Sequence, residues 1–423
     1  MSETVEKKGL VPKLRFPGFP GGWDNVSFGT LYEFGKSYQV SRDNLNALSG
    51  LVGVVHYGDI HTKLPSHVDF AVTNVPFLNE ASDHSISPED AVSVGDLIFA
   101  DASEDLADVG KAIEVVGLAE RPISAGMHTI LAKRRNDRPE PGFGGFYIRS
   151  LFAQSQIRHE AQGTKVFGIS GSRLARIRVL LPSDSIEQRK IAECLESLDE
   201  LIAAETEKLE ALKRHKKGLL QQLFPTEGET TPRLRFPQFR NTGDWRNVPL
   251  TQLCSIKTGK KDVNEGSAAG AYPFFTCAAA ISRSDSFSFD SEAVLIAGNA
   301  DSVGRAKYYK GKFEAYQRTY VLDTFRNVSA RYAFALLDEF FQTYCQSQFQ
   351  TTAMNYITLP ILSNFQLPVP MSDAEQDAIA GVSFDLSATI EVMSTHLAEV
   401  RNHKAALMQQ LFPSLDELES SAQ

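Results

Sequence analysis

The 423-residue chain contains no apolar run of about 18 residues, the length a membrane-crossing helix requires. Its first twenty residues, MSETVEKKGLVPKLRFPGFP, mix charges and prolines where a secretory signal would need an apolar stretch, so a cytoplasmic location is expected. Cysteine is scarce. Cys194, Cys254, Cys277 and Cys345 stand far apart with no C-x-x-C pair, which argues against both a disulfide framework and a zinc site. Positive charge is also short: a net charge of −9 argues against an indiscriminate polyanion binder, while leaving local basic patches open. Gly35-Lys36-Ser37 fails as a phosphate loop because the required glycine would fall on Thr30. There is no metal-binding helix pair, nucleophile elbow or Asn-Pro-Pro-aromatic stretch, and His128 has no Cys or Ser partner near it in sequence. These absences describe a binder without catalytic residues or metal ligands of its own.

What is present is repetition. Leu181 to Pro225 aligns without gaps to Val369 to Pro413, a constant offset of 188 with 16 identities over 45 positions. The identities include Glu187-Gln188 with Glu375-Gln376, His215-Lys216 with His403-Lys404, and the shared ending Gln-Gln-Leu-Phe-Pro. A second match sets Trp23 to Leu31 (WDNVSFGTL) against Trp245 to Leu253 (WRNVPLTQL), each preceded by Leu-Arg-Phe-Pro. The unit of repetition is a variable body followed by a better-matched tail.

Apolar spacing makes each tail a long helix. Leu195, Leu198, Ile202, Leu209, Leu212, Leu219 and Leu223 recur at heptad spacing, and Leu386, Ile390, Met393, Leu397, Val400, Leu407 and Leu411 repeat the register. Asp184 and Ser372, each followed three residues later by a glutamate, read as capping boxes, and Phe-Pro stops each helix. Roughly forty residues at about 1.5 Å each give a rod of about 60 Å. The simplest partner for each rod is its copy, run antiparallel, which would return the chain to its start and form a pseudo-twofold cyclic repeat. The ends near Leu14 and Pro413 should then lie close together, and a permutant opened near Gly228 should fold. Lys216 and Lys404 interrupt the stripe at matching positions, either to meet a partner or to lie at the edge of the seam with their charges in water.

The bodies read as α/β with short strands. Val92 to Ala100 and Ala293 to Ala297 predict buried strands, each followed by a Val-Gly-basic-Ala step, Val109 to Ala112 and Val303 to Ala306. His128-Thr129 and Arg318-Thr319 lead into further strands; helices are expected over about Gly145–Ala161 and Ala330–Phe349. Gly163-Thr164-Lys165 then aligns with Thr351-Thr352-Ala353, and Ile169 with Ile357. Gly110 and Gly304 are expected to serve turns.

Trp-x-Asn-Val, then Gly-Asp-Leu-Ile-Phe-Ala with a Val-Gly-Lys step, then a Pro-x-x-x-x-Glu-Gln helix ending in Gln-Gln-Leu-Phe-Pro, the whole order duplicated, resembles the specificity subunit of type I restriction-modification systems from about Leu14 to Pro413. The second copy lacks an equivalent of Gly95-Asp96. The resemblance implies an α+β fold: two similar α/β target-recognition domains joined by two long antiparallel coiled-coil helices. The expected boundaries are 14–182 and 241–370 for the recognition domains, 183–225 and 371–413 for the spacer helices, and 226–240 for a linker. It further implies a non-catalytic subunit that reads a bipartite, asymmetric target in double-stranded DNA, one domain per half-site. Two methyltransferase subunits and nuclease-translocase subunits would be its partners, with S-adenosylmethionine, ATP and Mg2+ bound by them and none by this chain. The alternatives are a non-DNA coiled-coil scaffold with two adaptor domains, or the specificity subunit of a related methyltransferase-nuclease system.

If the chain reads DNA, contacts should come from repeat-matched polar positions in loops beside strands. Those are Lys36, Lys111, His128 and Lys165 in the first body and Lys260, Lys261, Arg305 and Arg318 in the second. The basic run Lys133 to Arg138 and the series Arg173, Arg176 and Arg178 read equally well as solvated loop and strand-face residues.

Overall fold

The structure, a computed structural model, describes residues 11–79, 87–135, 137–226, 228–349 and 355–413. Thr351-Thr352-Ala353 and Asn136 lie outside the described residues. The chain falls into two units, one built from residues up to Ala204 together with those from Leu397 onward, the other from Glu205–His396.

The first unit contains β1 (Trp23–Ser27), β2 (Tyr32–Phe34), β3 (Leu45–Asn46), β4 (Gly53–Val55), β5 (His67–Asp69), β6 (Phe77–Leu78), β7 (Leu97–Ala100), β8 (Ala102–Ser103), β9 (Ala112–Gly117), β10 (Ile123–Ala125), β11 (Thr129–Arg134), β12 (Phe167–Gly168) and β13 (Arg178–Pro182). Its main sheet has the order β2-β11-β7-β9-β5; a second sheet, β10-β4-β6-β3, and the pairs β1-β13 and β12-β8 complete it. Strand β7 is apolar at every position because both of its faces are covered. Leu97 and Phe99 enter a core with Trp23, Phe143 and Phe146, whereas Ile98 and Ala100 enter another with Val55, Val115 and Leu131. The single helix expected near Gly145–Ala161 is two: α1 (Phe143–Arg149) and α2 (Leu151–Glu160). Ser150 breaks it with an extended backbone, and its hydroxyl accepts from the Ala153 N–H at 3.3 Å, capping α2. The first long helix, α3, is Ser185–Leu223.

The second unit contains β14 (Arg246–Pro249), β15 (Ser255–Thr258), β16 (Tyr272–Phe275), β17 (Ser282–Ser284), β18 (Phe289–Ala297), β19 (Ala306–Ala315), β20 (Thr319–Asp323) and β21 (Gln366–Val369). Its sheet order β15-β20-β18-β19-β16-β17 repeats the β2-β11-β7-β9 core of the first, and β14-β21 repeats β1-β13. The helix expected over Ala330–Phe349 is α4 (Ala330–Leu336), a π-helical turn at Leu337–Phe341, and α5 (Gln342–Gln348). The second long helix, α6, is Asp373–Leu411. The architecture is α+β.

Each body is fastened to its long helix in the same way. The Arg15 guanidinium donates to both carboxylate oxygens of Glu187 at 2.7 and 2.8 Å, and Arg235 does the same to Glu375 at 2.7 and 2.8 Å. Both arginines also donate to a loop carbonyl, that of Gly21 or Gly243. The duplicated Leu-Arg-Phe-Pro motif is thus half of a bidentate ion pair. The capping-box expectation is corrected accordingly: Asp184 accepts from the Ile186 N–H, but Glu187 turns to Arg15 and to the Trp23 indole N–H rather than back to the helix start. An ion partner and an indole donor, brought near by tertiary folding, outcompete a local backbone N–H for the carboxylate. Gln188 and Gln376 fasten the next contact, accepting from the Glu140 and Ser329 N–H groups at 2.9 and 3.0 Å.

The first and last described segments meet within the first unit, where the Leu14 N–H donates to the Gln410 carbonyl at 3.0 Å. In the second unit the Leu234 N–H donates to Gln222 at 2.9 Å, the same bond one repeat earlier. The heptad positions Leu195, Leu198, Ile202, Leu209, Leu212, Leu219, Leu386, Ile390, Met393, Leu397, Val400 and Leu407 are all buried or half-buried. Lys404 pairs with Asp199 at 2.5 Å and Lys216 with Asp338 at 3.2 Å, their side chains only 13% and 14% exposed. Both lysines therefore meet partners rather than reaching out to water.

Candidate nucleic-acid interface

In each body two of the predicted contact residues, Lys111 and His128 in the first and Arg305 and Arg318 in the second, meet where the central strand ends. The first residue beyond β7, Asp101, donates its N–H to the His128 carbonyl at 3.1 Å and accepts from the Ile169 N–H at 2.8 Å. Gly298, the first residue beyond β18, does the same with Arg318 at 2.9 Å and Ile357 at 2.8 Å. A third bond repeats too: the last strand residue, Ala100 or Ala297, donates to the carbonyl of Lys111 or Arg305. Lys111 with His128, and Arg305 with Arg318, are therefore side by side at one end of their sheets. Gly110 and Gly304 make the preceding turn with φ of +67° and +83°, a conformation that favours glycine.

Several of these side chains differ in what holds them. In the first body Lys36 is exposed, with its ammonium 4.4 Å from the Tyr38 ring centre, and Lys165 is exposed in the loop before β12. His128, itself in the left-handed region at φ +55°, sits 3.4 Å from Asp101 with its ring against Tyr57. Lys111 turns inward, its ammonium donating to the His61 carbonyl at 2.9 Å. In the second body Lys260, Arg305 and Arg318 are exposed. Lys261 is committed to its own fold: its ammonium donates to the Ser284 and Ser286 hydroxyls at 2.9 and 2.7 Å, with the buried Glu314 carboxylate 3.8 Å away.

The basic clusters are largely spent on structure. Lys133 donates to the Glu89 carbonyl, Arg134 to Pro139, and Arg138 to Asp24 and Pro182. Arg173 pairs with Glu160, and Arg178 holds Asn25.

Residues that repeat matching did not single out also reach this end. Tyr57 and His61 stand beside His128 and Ala102, the His61 Nε2 lying 3.1 Å from the Ala102 carbonyl. They belong to a stretch of the first body without a counterpart in the second, so internal comparison could not reveal them. Lys307 lines a small cavity with Arg305 and donates to the Ala278 and Ala279 carbonyls, both at 2.9 Å. Burial foremost, with Arg305 nearby, lowers its pKa below the usual lysine value. A cation directly after the Val-Gly-Arg-Ala step was the available signal for it.

No described helix is long and apolar enough to cross a membrane.

Residues 242–402 match the family model described as "Type I restriction modification DNA specificity domain". The chain is 36% identical over 166 residues to the type I restriction enzyme EcoDI specificity subunit of Escherichia coli, a match covering 39% of this chain and 34% of that relative. It is 22% identical over 295 residues to the MjaVIII specificity subunit of Methanocaldococcus jannaschii, covering 62% of this chain and 67% of the relative. Among solved structures, the type I restriction-modification S subunit from M. genitalium shares the fold with a TM-score of 0.65 at 14% identity, covering 96% of this chain and all of that one. A structure titled for complex assembly and conformational transition of the type I R-M system gives 0.54 at 17% identity, covering 94% and 99%.

Proposed function

We propose, from the premise that the chain belongs to the specificity subunits of type I restriction-modification systems, that its two bodies read the two unlike halves of one split DNA target. The observation that carries this reading is the loop cluster at the ends of β7 and β18. Its three backbone bonds are the same in both bodies, while the side chains they present differ: Lys111 and His128 in one, Arg305 and Arg318 in the other. A shared frame with unlike hydrogen-bonding groups suits two unlike half-sites, because base edges are discriminated by donor and acceptor pattern. Lys36, His128 and Lys165 in the first body, and Lys260, Arg305 and Arg318 in the second, are the contact residues of this reading. Lys111 and Lys261 hold the loops that present them.

The chain itself is non-catalytic in this proposal. Adenine methylation and ATP-dependent cleavage belong to two methyltransferase subunits and to nuclease-translocase subunits, which supply the S-adenosylmethionine, ATP and Mg2+ sites, and the assembly works in the cytoplasm. Partners that close on the DNA also add phosphate contacts that a chain of net charge −9 is short of.

The test is a body exchange. Replacing residues 241–370 with the same segment of a relative of different specificity, then mapping methylated adenines across the genome, should change one half of the recognised sequence and leave the other. A target unchanged by the exchange would refute the assignment, and loss of all sequence-selective DNA binding in the native chain would favour the scaffold alternative.

A further inference from the structure

A cavity of about 260 Å³ in the first body lies beside the loop cluster, between the start of β9 and helices α1 and α2. Lys111, Arg149 and Arg158 line it, with Gln154 and a single acid, Asp108. Three cations against one carboxylate leave it strongly positive, in a chain whose overall charge is negative.

Arg149 is the informative residue. It ends α1 half-buried, yet its guanidinium makes no hydrogen bond or ion pair among the described residues. The nearest acid to influence it, Asp199, is engaged by Lys404 at 2.5 Å. Desolvation pulls its pKa below the ordinary arginine value, the Asp199 charge opposing only in part. Its five N–H donors, left without an acceptor among the described residues and opening on a cationic cavity, are available to an anion. Gln154, beside it, donates to the Ile148 carbonyl at 2.8 Å, and Lys111 spends one donor on His61, so the cavity walls are ordered.

The second body shows that the fold does not require the two arginines. Gly110 and Gly304 pack against Ile157 and Cys345, which sets the two helices in register, so Arg158 corresponds to Gln346. Where α1 ends in Arg149, the segment after α4 reads Leu-Asp-Glu-Phe-Phe and contains no base. Gln342, the first residue of α5 and the counterpart of Gln154, donates to the Val303 carbonyl at 3.3 Å. Lys111 has a basic counterpart in Arg305, but Arg149 and Arg158 belong to one body alone, which is the pattern of a ligand site and not of a structural necessity.

We infer that the cavity lined by Lys111, Arg149 and Arg158 is an anion site that receives a backbone phosphate of the DNA read by the first body. The inference rests on the DNA-reading proposal above. The planar forks of two arginines match the geometry of a phosphate's oxygens, and a phosphate held beside the His128 loop would set the register of that body on the duplex. No base is read there, so the contribution is the same for every sequence.

The experiment measures binding of the full-length native chain to duplex DNA with and without the target sequence, across a range of salt concentrations. The Arg149→Gln, Arg158→Gln double variant should weaken both affinities alike, roughly fivefold to tenfold at 0.1 M salt, and reduce the slope of log K against log salt by about 0.9 for each phosphate no longer neutralised. Arg158→Glu, at an exposed position, probes the same phosphate should the double variant fold poorly. An unchanged slope, with target discrimination intact in the native chain, overturns the cavity assignment and leaves the DNA-reading proposal standing. Absence of salt-sensitive, selective binding in the native chain overturns both. Inorganic phosphate supplies the separate arm: if it raises the Tm of the native chain but not of the variant while the DNA slope is unchanged, the site takes free phosphate and the backbone assignment fails.

Discussion

The two bodies agree where they are fastened and differ where they face outward. Both attach by the same arginine–glutamate fork, the same glutamine bond and the same loop frame, although their exposed side chains diverge. The first body adds the sheet β10-β4-β6-β3 and the cationic cavity; the second instead extends its central hairpin to a nine-residue β18 and a ten-residue β19. The anchoring contacts are buried ion pairs and close backbone approaches, in which a change of either partner is heavily penalised. The loop ends carry no such constraint, so chemistry can change there without cost to the fold.

Five substitutions, in three groups, sharpen that comparison. The largest effect is expected at the forks. Arg235→Ala leaves the fully buried Glu375 carboxylate without its counter-charge and should cost about 3–5 kcal/mol in denaturant unfolding. Arg15→Ala should cost less, because Arg15 is 19% exposed against 9% for Arg235; each carboxylate keeps one further donor at 3.4 Å, the Trp23 indole for Glu187 and the Thr242 hydroxyl for Glu375. Equal costs would show that the difference in exposure of the two arginines contributes nothing.

Next come the turn glycines. Both backbones are left-handed; an alanine at position 304 would bring its Cβ to 3.0 Å from the Gln342 Cα, whereas at 110 it meets the Cγ2 methyl of Ile157 at 2.7 Å. Backbone cannot yield and a side chain can, so Gly304→Ala should cost about 2 kcal/mol or more and Gly110→Ala about 1–2 kcal/mol by the same measurement. The reverse order would mean that the α2 side is the less yielding of the two.

The smallest effect is one of pH, confined to the first body. Burial foremost, with Arg42 and His128 adding to it and Asp59 opposing, lowers the His56 pKa below its usual 6.5. His56 also accepts the Gly58 N–H through Nδ1 at 3.3 Å, which requires the neutral ring. Unfolded chains therefore bind the extra proton first, and stability fully present above pH 6.5 is lost as pH falls from that value through the lower folded one. Unfolding midpoints at pH 7.5 and 5.5 should differ less in His56→Asn, which keeps an acceptor without titrating; an identical pH dependence would assign the effect elsewhere.

Much of this is legible in the residues. Heptad leucines locate the long helices because a period near 3.5 survives any context, and the matched Val-Gly-basic-Ala steps locate the loop cluster because duplication marks positions under common constraint. Glu187 reads locally as half of a helix cap because its true partner, Arg15, is 172 residues away and nothing nearby competes with the capping pattern. Arg149 is inconspicuous along the chain for a related reason: it is one arginine at the end of a helix until β9, α1 and α2 enclose it.

By itself the sequence determined the elements and their duplication, since periodicity, turn residues and repeats are properties of neighbours along the chain. Only the tertiary structure decided which charges are spent inside the fold, as those of Lys261 and Arg138 are, and which find no partner among the described residues, as that of Arg149 does not. A charge is satisfied or not by groups within a few ångströms of it, and in this chain those groups come from far along the sequence.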